Sequence, residues 1–374
     1  MIIDISNESF RRILENKNLF LPIRWDGSDF SSTLDYLFMD YIKQIELTKH
    51  ENNHLKNICI NLDDIKRVCG LLVKVVNHYL NGFPSMAYEK FESVMDILMV
   101  TPLEIYQKSV MEQFGNSINN IDDDKLKLYR VVNVDDNKPY KRVRVFHTPY
   151  NLRSKVSTSR YSIAGYPSLY LGTSLNLCCE EIHMNPHKNF ALASKFKLER
   201  NLEYTNTNIQ VIELGVKPQD FIAINENDEN NKRRISHHLL EKNKTKSAYL
   251  LWYPLIAACS YIRTNKSDPF AAEYIIPQLL MQWVRSKIGA NKGEEYDQLI
   301  GIRYFSCASI KASEMGFNYV FPTSGQQKSN NLPYCSVLAK AFRLTSPEYM
   351  HEFDCVESCE KYLNRKNDFD YIGN

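Results

Sequence analysis

Apolar residues recur every three to four positions through the first third of the chain, and the period then changes. Residues 71–80 and 88–98 both carry this helical spacing, so the stretch from Ser6 to Gly115 predicts a helical N-terminal unit. Gly82-Phe83-Pro84-Ser85 breaks the two repeats and predicts a helix–helix turn. The largely polar stretch from Asn116 to Asp124 predicts a linker. Short apolar runs of strand length follow at Leu128–Val134, Val143–His147, Ser168–Gly172 and Ile209–Val216. Asn225 to Arg234 holds no apolar residue, which predicts an exposed loop, as an insertion or a mobile lid. Helical pattern resumes through Thr264, with a buried core helix around Tyr249–Ile262 that is too short to span a bilayer. Ala271–Arg285 predicts a further helix with Pro277 in its first turns. The expected fold class is therefore α+β: a helical domain over 1–120, then a mixed α/β domain over 121–374.

The site chemistry concentrates in one short stretch. Ser168–Gly172 is an apolar and aromatic run bounded by Pro167 and Gly172, which suits a buried strand. Thr173 or Ser174 can then cap a helix that passes through Cys178 and Cys179 to Glu180 and Glu181 and ends near Pro186. Upstream lie Arg160, Tyr161 and the turn Gly165-Tyr166-Pro167. A cation, aromatic rings, a tight turn and a carboxylate in loop–strand–helix order suit an anionic ligand. Glu180 and Glu181 point about 100° apart on a helix, so only one can serve that site. Taken singly, Arg160 is an ordinary loop arginine, Tyr170 ordinary strand packing and Glu181 an ordinary helix-surface residue. It is the ordered set that points to function.

The residues resemble the RES domain family, toxins of bacterial RES-Xre toxin–antitoxin pairs. Its early Leu-x-Arg strand resembles Leu128-Tyr129-Arg130. Its central Gly-Arg-aromatic block with Gly-x-Pro and a following Tyr resembles Arg160 to Pro167 with Tyr170, and its helical Glu resembles Glu181. A later Ser at the end of an apolar strand resembles Ser306, and the Asn-Tyr-x-x-Pro beyond it resembles Asn318 to Pro322. The match covers roughly residues 125–345. The chain departs from the pattern in carrying Ser157-Thr158-Ser159 where many members have glycines, and Tyr161 where Trp or Phe is commoner.

The resemblance implies a fold similar to ADP-ribosyltransferases and an enzyme that breaks the nicotinamide–ribose bond of NAD+, its substrate rather than a resident cofactor. On that basis Arg130, Arg160 and Glu181 are the expected catalytic residues, with Glu180 as the rival carboxylate. Tyr161, Tyr170 and Ser306 are the expected substrate-binding ones. A carboxylate suits the ribose because the bond breaks through an oxocarbenium-like state. Arginines suit a diphosphate because their planar donors bind it in pairs. Hydrolysis and phosphorolysis both fit. The alternatives are an ADP-ribosyltransferase acting on a protein or nucleic acid, and a non-catalytic module that binds ADP-ribose or a partner. An Xre-type antitoxin is the partner the family implies. Because compact RES toxins do not need so long an extension, the N-terminal helices are expected either to restrain or recruit the catalytic domain or to recognise a phage or host component.

Composition narrows the field less. Of 374 residues, 44% are hydrophobic, enough for a real core. The 46 basic and 44 acidic residues leave a formal charge of +2, so no global field attracts nucleic acid or an anionic membrane. Nine cysteines are scattered without paired zinc spacing, and His183-x-x-x-His187 is interrupted by Pro186, so no metal is expected. Free thiols and the absence of a signal-peptide pattern after Met1-Ile2-Ile3-Asp4 point to a cytoplasmic protein. Oligomeric state stays open.

Overall fold

The computed structural model describes residues 7–51, 62–100, 106–107, 126–184, 190–198, 208–222, 243–265, 267–289, 298–323 and 333–372. The expected linker at Asn116–Asp124, the expected loop at Asn225–Arg234, and His187 lie outside them. The chain forms two compact units, each drawn from two stretches: residues 1–105 with 216–280, and residues 106–215 with 281–374. The segment 216–280 thus belongs with the N-terminal helices, whereas the division expected from the sequence, near residue 120, grouped it with the C-terminal stretch.

The first unit is helical. It contains α1 (Asn7–Leu14), α2 (Phe30–Glu51), α3 (Leu62–Leu80), α4 (Pro84–Val100), α6 (Pro218–Ile222) and α7 (Asn243–Ala258). The apolar stripe of α3 buries Ile65, Val68, Cys69, Leu72, Val75 and Val76, the spacing of one helix face. Gly82, at φ +85°, ends α3. Its N–H reaches Tyr79 O and that of Phe83 reaches His78 O, the paired bonds of a Schellman cap, so the expected turn has a definite geometry. Three buried tyrosines tie in the later segment: Tyr41 Oη donates to Leu250 O at 2.7 Å, Tyr253 Oη to Leu19 O at 2.9 Å and Tyr249 Oη to Val216 O at 3.2 Å. These long-range bonds, invisible to local pattern, draw 216–280 to the N-terminal helices. Two short strands, β1 (Ile23–Arg24) and β7 (Tyr261–Ile262), pair in parallel.

The second unit is built on a nine-stranded mixed sheet. Its strands are β2 (Tyr106–Gln107), β3 (Leu128–Val134), β4 (Ser168–Gly172), β5 (Phe190–Leu198), β6 (Asn208–Leu214), β8 (Gln298–Phe305), β9 (Phe317–Pro322), β10 (Phe342–Leu344) and β11 (Glu348–Tyr349). They run in the order β10-β5-β3-β4-β9-β8-β6-β2, with β11 on β5. One face carries Leu128, Leu169, Leu171, Phe196, Tyr319 and Phe321 and packs on Phe146, Tyr150 and α9 (Ser336–Ala341). The other carries Tyr129, Val131 and Ala193 and packs on α5 (Leu175–Glu181) and α10 (Val356–Arg365). Counting the helical unit and this sheet together, the architecture is α+β. The strands expected at Leu128–Val134 and Ser168–Gly172 have those bounds. The helix expected over Ala271–Arg285 is a 3-10 turn at Ala272–Tyr274 followed by α8 (Ile275–Gly289). The strand expected over Val143–His147 is instead a 3-10 turn at Arg142–Val145. There Arg142 Nε donates to Leu344 O and Arg144 Nη2 to Asn133 O, and these bonds curl the backbone out of the ladder.

No helix among the described residues is long and apolar enough to cross a membrane. The cysteines among them are free thiols, and no cluster of three or more His, Cys, Asp or Glu there could hold a metal ion.

His147, fully buried, joins two loops: its Nδ1 lies 2.9 Å from Thr148 O and its Nε2 2.9 Å from Cys335 N. The amide of Cys335 must donate, so Nε2 accepts and Nδ1 carries the proton to Thr148 O: the ring is neutral. Burial pulls its pKa from 6.5 down to about 4. Between those values the unfolded chain binds the proton and the folded chain does not, so stability falls as pH drops through this window, by about 3 kcal/mol in all. Thermal melts from pH 7 to 4 should show that loss in the wild type and a flatter profile in His147→Asn. Equal slopes would contradict the assignment.

Candidate active site

The loop before β4 is shaped by two turns. Ser159 and Ser162 exchange backbone hydrogen bonds of 3.0 and 3.2 Å, which puts Arg160 and Tyr161 at the tip of a two-residue turn. In the next turn Tyr166 N reaches Ile163 O at 3.0 Å, with Gly165 third at φ +79°. A positive φ at that place is what a type II turn demands and a side chain resists. Pro167 O is then held by Thr323 through its backbone N–H and its Oγ1, which seats the loop at the start of the sheet. Tyr170 closes the arrangement: its Oη lies 2.7 Å from both Ser159 Oγ and Ser162 Oγ.

The carboxylate arrives by a separate route. Ser174 caps α5, its Oγ accepting from Leu177 N and donating to Met315 O. A Cβ on Gly172 would come within 2.7 Å of Cys178 Sγ, so the absence of a side chain lets α5 lie against the strand. Glu181 follows Cys178 by three residues and shares its helix face. It is exposed, and its Oε1 accepts from Asn318 Nδ2 at 2.5 Å. Glu180 has no such bond among the described residues and is half-buried.

Strand register supplies the floor. Gly172 pairs with Asn318, and Asn318 with Tyr304, so the three share one sheet face. The ring of Tyr161 packs on that of Tyr304 with centroids 4.6 Å apart, and both are buried. Burial first, then the neighbouring Glu181, Tyr170 and Tyr161, push the Tyr304 phenol well above its ordinary pKa, while Arg160 pulls it back. Tyr161 thus touches Tyr304 directly, and Arg160, Tyr170 and Glu181 lie within electrostatic reach of it. Neither Tyr304 nor Asn318 carries an expected role from sequence. Their parity on adjoining strands is the signal that identifies them, and it requires the register.

Two expected residues stand apart from this cluster. Arg130 sits opposite Ser194 in β5, on the face of Leu128 rather than that of Tyr170. β3 and β4 share a single paired position, Tyr129 with Gly172, and beyond it Arg130 Nη1 donates to Tyr170 O at 3.0 Å. The guanidinium thus occupies the fork between the strands. Burial lowers its pKa to about 10, its Nε is shielded with no partner, and no carboxylate among the described residues pairs with it. Ser306 is fully buried just past β8, where its Oγ accepts from Ala308 N at 3.1 Å. It shares no hydrogen bond with the Tyr304 cluster among the described residues.

Gly316, at φ +137°, leads into β9, and a Cβ there would meet Thr173 Oγ1 at 2.3 Å. That same oxygen accepts from Phe317 N, so the contact fixes where Asn318 begins its approach to Glu181. Gly316→Ala should therefore destabilise the protein by about 1–2 kcal/mol or more in denaturant titration. An unchanged midpoint would contradict this account of the β9 entrance.

No family model matches this chain, and no solved structure matches it significantly. It is similar to a protein of Bacillus subtilis (strain 168) named "Putative toxin YopC", with 26% identity over 354 residues. The similarity spans 93% of this chain and 72% of that protein.

Proposed function

We propose that this chain is a toxin-type enzyme that consumes NAD+ by breaking its nicotinamide–ribose bond. The geometry around β9 carries the reading: Glu181 is bound to Asn318, Asn318 is paired with Tyr304, and Tyr161 of the Arg160 turn packs on the Tyr304 ring. The similarity to a protein named as a toxin supports its coarser part. In the proposed reaction the C1′–nitrogen bond breaks and nicotinamide leaves with the electron pair. The carbon is left electron-poor, and an oxygen of water or phosphate bonds to it and releases a proton.

Glu181 is suited to this step. One oxygen is anchored by Asn318, while the exposed carboxylate offers the other to a ribose hydroxyl and opposes the developing positive charge. Tyr170, half-buried and fixed by two serine hydroxyls, forms the wall for the nicotinamide ring. Tyr161, packed on Tyr304, supports the loop that presents Arg160. Arg160 receives the diphosphate, while Arg130, in the fork between β3 and β4, holds the main chain of Tyr170. Ser306 takes a structural place in this scheme, closing the turn beyond β8. A neutralising partner of the Xre-type antitoxin class would act by covering this face.

Nicotinamide release from NAD+ by the purified chain, with and without phosphate, tests the proposal. Wild type should release it, and Glu181→Gln and Arg160→Ala should each lose roughly 100-fold or more while melting as wild type does. ADP-ribose as the product would name water as acceptor, and its phosphorylated form would name phosphate. Full turnover in either variant would remove that residue from the mechanism. Absence of release by a folded wild type, with no fall in cellular NAD+ on expression, would overturn the reading.

A further inference from the structure

The turn that carries Gly165 and Pro167 also presents Tyr166 to two arginines that the NAD+ scheme leaves unused. Arg285, on α8, donates from Nε to Tyr166 Oη at 2.7 Å and lies 5.6 Å from the centre of its ring. Arg153 reaches the same ring at 6.0 Å and that of Tyr150 at 4.9 Å. Both arginines are half-buried, and neither pairs with a carboxylate among the described residues. Arg285 Nη1 is shielded from solvent and has no hydrogen-bond partner among the described residues.

Two like charges on one neutral ring repel each other, and a shielded N–H donor without an acceptor loses its hydration with nothing in return. Cation–π attraction to a single tyrosine offsets only part of this. An anion with several acceptor oxygens removes both penalties, because it neutralises the pair and accepts from the idle guanidinium nitrogens. Planar guanidinium forks suit phosphate oxygens in particular. Tyr166, hydrogen-bonded and stacked, would act as the rigid spacer that sets the distance between the forks.

We propose that Arg153 and Arg285, both against the ring of Tyr166, form a phosphate-binding subsite distinct from Arg130 and Arg160. Its occupant is the diphosphate of the dinucleotide or the inorganic phosphate that accepts the ribosyl group. That choice of occupant rests on the proposed NAD+ cleavage, whereas the subsite itself stands on the arginine geometry. Tyr166 lies six residues from Arg160 in one loop, and its hydroxyl ties that loop to Arg285 of α8.

Calorimetric titration of the full chain with inorganic phosphate and with pyrophosphate tests this, in wild type, Arg285→Gln and Arg153→Gln. Wild type should bind at least one of the two, and each substitution should weaken binding about tenfold or more. Arg153 makes no hydrogen bond to Tyr166, so Arg153→Gln keeps the test valid if Arg285→Gln fails to fold. Tighter pyrophosphate binding would assign the subsite to the dinucleotide, and phosphate binding of equal strength would assign it to the acceptor. No binding by wild type, or unchanged binding in a folded Arg153→Gln, would overturn the subsite. Because these titrations use no NAD+, a failure of the cleavage reading would leave their outcome intact. An NAD+-cleaving enzyme with unaltered anion binding in the variants would lose only the subsite.

Discussion

The site depends on the register that sets Gly172, Asn318 and Tyr304 side by side on β4, β9 and β8. Side chains alternate between the faces of a sheet, so a slip of one residue in β9 would turn Asn318 into the opposite core and bring Tyr319 to the site face. The opposite core holds that register through Leu169, Leu171, Tyr319 and Phe321, whose burial leaves one tolerable pairing. Gly172 adds a second constraint. Its missing side chain admits Cys178, and the helix that carries Cys178 delivers Glu181 to Asn318 one turn later. A hydrophobic alternation on one face thereby fixes polar chemistry on the other.

The fork between β3 and β4 has a different logic. Where the two strands part, the carbonyl of Tyr170 takes the Arg130 guanidinium as its donor. The arrangement satisfies the backbone but buries a cation, and burial lowers its pKa to about 10. At neutral pH the group remains charged. Holding an uncompensated charge there costs stability that a bound anion would offset. The Arg153–Tyr166–Arg285 group repeats that logic on the adjoining loop.

Local pattern reveals much of this and misses what depends on distance along the chain. The β4 run, bounded by Pro167 and Gly172, and the serine cap at 174 are both local features, and the structure has them. The β3 run is likewise legible from its own residues. The 142–145 segment has strand-like composition, yet Arg142 is tied to Leu344, some 200 positions away, and no local window contains that bond. Tyr304 escapes notice for a related reason, and Asn318, though it opens the Asn-Tyr-x-x-Pro run, has no role assigned to it there: both acquire meaning only when the strands are aligned. The segment 216–280 joins the N-terminal helices through tyrosine hydroxyls reaching main-chain carbonyls, and tyrosines at those positions look like ordinary core. Arg130 shows the opposite case, being prominent in sequence while pointing to the other sheet face.

A crystal structure of Glu181→Gln with NAD+ bound tests the central claim most directly. The account predicts the nicotinamide ribose within hydrogen-bonding reach of residue 181, the nicotinamide ring beside Tyr170, and the diphosphate toward the arginines of the preceding loop. A dinucleotide seated elsewhere on the protein, with the face around Tyr304 empty, would contradict it.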